Sequence, residues 1–111
     1  MAINKYSVIE AQNIQLGQGG SAFVDTDDKF TPPTGLKIIM ITMLTDVEFS
    51  ELTPTDSDVN FGTTETDANQ PGTGSKQLTN SDTFPGGVTI FGRWDSLTLQ
   101  TAGDKALVYF G

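Results

Sequence analysis

Thr83-Phe84-Pro85-Gly86-Gly87-Val88-Thr89-Ile90-Phe91-Gly92-Arg93-Trp94-Asp95-Ser96-Leu97-Thr98-Leu99, closed by Thr101-Ala102-Gly103-Asp104 and Ala106-Leu107-Val108-Tyr109-Phe110, is the stretch whose reading decides the fold class. Its β-branched and aromatic residues come in short runs, and each run is stopped by a glycine-bearing turn, which is the pattern of strands tied by tight connections. The reading is a turn at 83–87, a strand over 88–94, a break at Asp95-Ser96 and a strand over 97–99. A hairpin turn at 101–104 and a last strand over 106–110 follow. Gly92 inside the first of these strands suits a bulge or a close backbone approach.

Working outward from this stretch, residues 36–44 form a run dense in isoleucine and methionine. Apolar residues on both sides of the pleat mark a central, doubly covered strand. Val47, Phe49 and Glu51 alternate as its neighbour would. Ala22-Phe23-Val24 is an earlier strand, and Thr31-Pro32-Pro33-Thr34-Gly35 a stiff connector. Two further short extended segments are expected at Tyr6 to Ile9 and at Ile14 with Leu16, the second ending in Gly17-Gln18-Gly19-Gly20. Helical spacing of apolar residues is interrupted everywhere by Gly, Pro or Thr. From 53 to 81 the chain turns to Thr, Asp, Asn, Gly and Pro, with Val59, Phe61 and Leu78 as anchors, and reads as one long polar loop. The expectation is a single all-β domain over 1–111, an antiparallel β-sandwich or jelly-roll-like barrel of short strands, with 1–9 as an N-terminal arm.

Charge and composition narrow the function classes. The 111 residues carry 14 acids against 6 bases, a formal charge of −8, with no histidine and no cysteine. Such a field repels phosphates and anionic lipid, so neither nucleic acid nor membrane is expected as a partner. The longest apolar run is too short to span a bilayer, and the first residues lack the basic and apolar segments of a secretion signal, so synthesis in the cytoplasm and a soluble product are expected. Without imidazole or thiol the commonest nucleophile and base pairs are missing, and the chain is expected not to be an enzyme. Asp46, Glu48 and Glu51 could form an acid pair, but acids on an exposed strand ordinarily meet water.

Asp25-Thr26-Asp27-Asp28 and Asp56-Ser57-Asp58 resemble calcium ligands in spacing. They lack the glycine and the closing glutamate of a calcium loop, so acidic turns are expected and no metal or cofactor is assigned. Gly17-Gln18-Gly19-Gly20 precedes a strand, not a helix, and reads as a turn instead of a phosphate loop. Trp94, Tyr6 and Tyr109 could stack on sugars, whereas a lone Trp beside Arg93 also serves as a partly buried anchor, with Ile90 and Phe91 seeking a core. Arg93, the one arginine, suits a carboxylate of its own or a neighbouring subunit.

The stretch 84–94 with Ser96-Leu97-Thr98-Leu99, Gly103 and Val108-Tyr109-Phe110-Gly111 resembles the C-terminal pattern of small virion proteins of tailed bacteriophages, and residues 38–49 look like its earlier half. The resemblance covers roughly 40 residues and carries no catalytic or metal residue. It implies a structural subunit on the capsid exterior that decorates or cements neighbouring major capsid proteins, as a homo-oligomer with a trimer favoured. The alternative it leaves open is a receptor- or glycan-binding module of a head or tail fibre. The residues expected to touch a partner are Ile3, Tyr6, Val8, Phe61, Arg93 and Trp94, from the arm, the long loop and the last strands.

Overall fold

The computed structural model describes residues 20–63 and 71–111. The segments expected to extend at 6–9 and 14–16, and the arm residues Ile3, Tyr6 and Val8, lie outside the described residues. Five strands make one antiparallel sheet: β1 (Ser21–Val24), β2 (Ile38–Met43), β3 (Phe49–Pro54), β4 (Thr89–Leu99) and β5 (Ala106–Phe110), in the order β1-β5-β2-β4-β3. The chain is all-β, and no helix of the described residues is long and apolar enough to cross a membrane.

β2 lies in the middle because its Ile-Ile-Met-Ile-Thr-Met run is buried at five of six positions and both of its edges are used, one by β5 and one by β4. That occupancy corrects two expectations. β3 does not lie beside β2 but beyond β4, and the turn at 101–104 does not close a hairpin between adjacent strands, since β5 crosses to the far side of β2. A strand edge offers its amides and carbonyls only once, so a third strand has nowhere to bond on β2.

β4 is continuous where a break was expected at Asp95-Ser96. Pro54 lies opposite Trp94 and Thr53 opposite Ser96, which leaves Asp95 as the extra residue of a bulge. The bend lets one strand serve two groups: residues 89–94 pair with β2, and residues 94–99 pair with β3 on the other edge. Beyond the end of β2, Phe30 takes the vacated edge through a reciprocal backbone pair with Leu97 at 2.8 and 3.1 Å. A second irregularity lies at Ile39, the extra residue of β2 against β5, so that Ile38 and Ile41 both reach the core.

The two arms of the sheet share one core. Ile41, Met43, Ala106 and Val108 come from one side, and Phe49, Leu52, Leu97 and Leu99 from the other. Trp94 sits at the bend of β4, fully buried, its indole N–H donating to the Phe61 carbonyl at 2.9 Å and its ring edge-on to Phe61 at 5.6 Å. Phe61 thus pins the loop that follows β3. Gly62 and Thr63 then dock along β3, where the Thr63 amide donates to the Leu52 carbonyl at 2.9 Å, and Leu78 donates to Gly62. The loop begins at Thr55 and not at Thr53, because Thr53 and Pro54 belong to β3. Val59, expected as an anchor, is exposed.

Gly92 answers to Trp94. A Cβ at this position would stand 2.7 Å from two ring carbons of the indole, closer than atoms can pack. Gly92→Ala is therefore expected to destabilise the fold by about 1–3 kcal/mol, the range for overpacking a filled core. The urea midpoint should fall with the slope unchanged. An unaltered midpoint would mean that the indole is not held against this strand.

Candidate functional site

The carboxylates named by the sequence are bound into the fold. Asp46 accepts from the Gly86 amide at 2.9 Å, and Glu48 from the Thr83 hydroxyl at 2.7 Å, so the two acids fasten the turn that leads into β4. That turn passes through Gly87 at φ +91°, a left-handed conformation that a side chain would oppose. The Val47–Phe84 backbone pair closes the same junction. Far from simply meeting water, these acids hold two distant segments together.

Glu51 lies on β3 opposite Thr98. Its carboxylate accepts hydroxyl hydrogen bonds from Thr53 at 2.7 Å and from Ser96 and Thr98 at 3.0 Å each, with the Lys29 ammonium at 3.6 Å. Burial pushes its carboxyl up, but the three hydroxyl bonds and the lysine charge outweigh that and leave it below the ordinary glutamate value. At the Asp95 bulge, Lys37 approaches to 2.7 Å and the Thr55 hydroxyl to 2.9 Å. The Lys37 bond is the main cause of a lowered Asp95 pKa. Burial opposes it, and the Thr55 bond and the charges of Lys37 and Arg93 assist it. Among the described residues no three acidic side chains converge closely enough to hold a metal ion.

The residues expected to touch a partner divide sharply. Phe61 and Trp94 face each other at the core, and the indole has no exposed face to offer. Arg93 is exposed on β4. The sugar-stacking trio does not assemble among the described residues, since Trp94 belongs to the core while Tyr109 lies, half-buried, on the opposite side of the sheet.

That opposite side is the feature the sequence reading missed. Strand pairing aligns Phe23, Leu107, Thr42 and Thr89 in one row across β1, β5, β2 and β4, and Ser21, Tyr109, Met40 and Phe91 in the next. Neither row holds a charged side chain, although the chain carries 20 charged residues. Phe23 is 53% exposed and Phe91 65%, whereas Phe91 was expected to need the core. The Thr42 and Thr89 hydroxyls bond each other across the face at 2.9 Å, which spends their polarity locally. Large apolar side chains left in water on a contiguous surface commonly mark a contact site.

No protein family, curated protein or solved structure matches this chain. The functional reading therefore rests on this geometry and on the sequence pattern.

The lowered carboxyls give the stability a defined pH dependence. A carboxylate whose folded pKa lies below its unfolded one adds stability above the unfolded value, and that stability is lost as pH falls through the folded one. Stability should hold near neutrality and decline once the pH drops below about 4. Glu51→Gln should lose about 1 kcal/mol at neutral pH through weakened hydroxyl bonds, and its melting temperature should fall less steeply in acid. A parallel acid limb in wild type and variant would remove Glu51 as a contributor.

Proposed function

We propose that this chain is a structural subunit of a bacteriophage particle, which sits on the outer surface of the capsid and cements or decorates neighbouring major capsid proteins. The observation that carries the reading is the aromatic-bearing outer face of the sheet, two of whose rows hold no charged side chain across four strands. The carboxylates of Asp46, Glu48, Glu51 and Asp95 are engaged within the fold, and what the domain turns outward over four strands is a surface suited to contact. The stretch that resembles small phage virion proteins supports the same reading, because it builds β4 and β5, the strands that organise the sheet.

The work of such a subunit is mechanical. Many modest contacts repeated around a shell sum to large avidity, so each one can be weak. The net charge of −8 keeps the free subunit apart from packaged nucleic acid and from anionic membranes. In this reading copies of the chain touch one another, and the arm at 1–9 with the loop at 53–81 reaches the capsid. Backbone groups in such segments can pair with a partner's sheet edge.

The test is to add the purified chain to mature capsids that lack it. Saturable binding at a fixed ratio to the major capsid protein is expected, together with a higher temperature of particle disruption. Particles that neither bind the chain nor gain heat resistance would overturn the proposal.

A further inference from the structure

We propose that the outer face of β1-β5-β2-β4 is a self-association surface, covered in solution by the same face of a second copy of this chain across a two-fold axis. The inference rests on the reading of this face as a contact surface, and not on the nature of the particle. Its basis is the strand register. In the first row Phe23 and Thr89 stand at the two ends; in the second, Ser21 and Phe91. The two exposed rings thus occupy diagonally opposite corners of the face, and two small hydroxyl side chains occupy the other corners.

A two-fold axis in the plane of contact and parallel to the strands lays each row on its own reverse. Phe23 then falls over Thr89 of the second copy, and Phe91 over its Ser21. In the middle of the rows Leu107 meets Thr42, and the half-buried Tyr109 ring lies over the place where Met40 is already buried in its own chain. At the corners each meeting sets bulk against a small side chain. This is the self-complementarity that an isologous contact requires, because one patch must fit itself. Aligned sheets stack about 10 Å apart in this manner.

Charge selects the same occupant. Two molecules of −8 repel through most orientations, and exposed charges act over a Debye length of about 8 Å at physiological salt. The two rows bring no charged side chain into the contact, and Arg93, exposed two residues along β4 from Phe91, flanks the second row. A basic partner would be drawn to the acidic turns at 25–28 and 56–58, which the rows do not include.

Area sets the strength. Four strands about 4.8 Å apart and about 17 Å long present roughly 300 Å² in projection. That is less than the ~800 Å² per partner of a standard stable interface. The pairing is therefore weak and concentration-dependent in the free protein, and becomes persistent where many copies are held side by side. A two-fold contact builds even-numbered assemblies in place of the three-fold one that the sequence resemblance favours.

Sedimentation equilibrium of the free chain over a concentration series, to about 1 mM, tests the pairing. Wild type should move from monomer towards dimer mass. Phe91→Asp and Phe23→Asp, each at an exposed site and each checked for wild-type circular dichroism, should remain monomeric. Adding Ser21→Lys to Phe91→Asp should restore the dimer. Within one chain residues 21 and 91 are separated by two intervening strands, whereas across the two-fold axis they meet. A wild type that stays monomeric, a trimer mass, association that survives Phe91→Asp, or a double variant that stays monomeric would each overturn the proposal. Capsid binding is a separate readout, so a monomeric chain that still cements particles defeats the pairing alone, and a dimer that binds no particle defeats the function alone.

Discussion

The fold depends on Trp94 being buried where β4 changes partners. A single strand pairs with β2 along its first half and with β3 along its second, and the two halves close on one core only because the indole fills the angle between them. Three residues are arranged around that ring. Gly92 keeps its own backbone clear, Phe61 supplies the carbonyl for the indole N–H, and Asp95 absorbs the extra residue of the bend. A buried N–H without an acceptor would cost about 1–3 kcal/mol, so the docking of Phe61 also fixes the course of the loop that leaves β3.

Polar side chains do the work that disulfides do in many small domains. Glu51 gathers three hydroxyls from two strands, Asp95 ties the entry of β2 to the exit of β3, and Asp46 with Glu48 secures the turn before β4. Each bond is modest, but together they pin the irregular places in the sheet: the bulge, the edge strand and the left-handed turn. Among the described residues the remaining acids lie in the connecting turns, and the two outer rows hold no charge.

Element identity was legible in the sequence, and neighbour relations were not. β5 was bounded correctly by Ala106 and Phe110, and β1 and β2 to within a residue or two, because β-branched density and glycine punctuation are local signals. The order of strands depends on which edges remain free after the first pairings, which no local pattern records. The register shifts hid more. One extra residue reverses which side chains face inward, so the run Ile38-Ile39-Met40-Ile41 looks uniformly central, and Phe91 looks as core-bound as Ile90. The outer face becomes visible only when four segments from distant parts of the chain are laid in register. Its one local trace is the lack of charge in Ser21-Ala22-Phe23-Val24 and in Thr89-Ile90-Phe91.

The fifth strand in chain order lies second in the sheet, between β1 and β2. During synthesis β1 emerges early and has no strand beside it until β5 follows, so the final pairing spans most of the chain and closes slowly. A product cut short before residue 106 would leave β1 detached and one edge of β2 open, and both rows of the outer face would be interrupted. Synthesis of β5 is thus a condition for the surface to exist, and an assembly built through that surface would admit chains that carry β5 and leave out fragments that lack it.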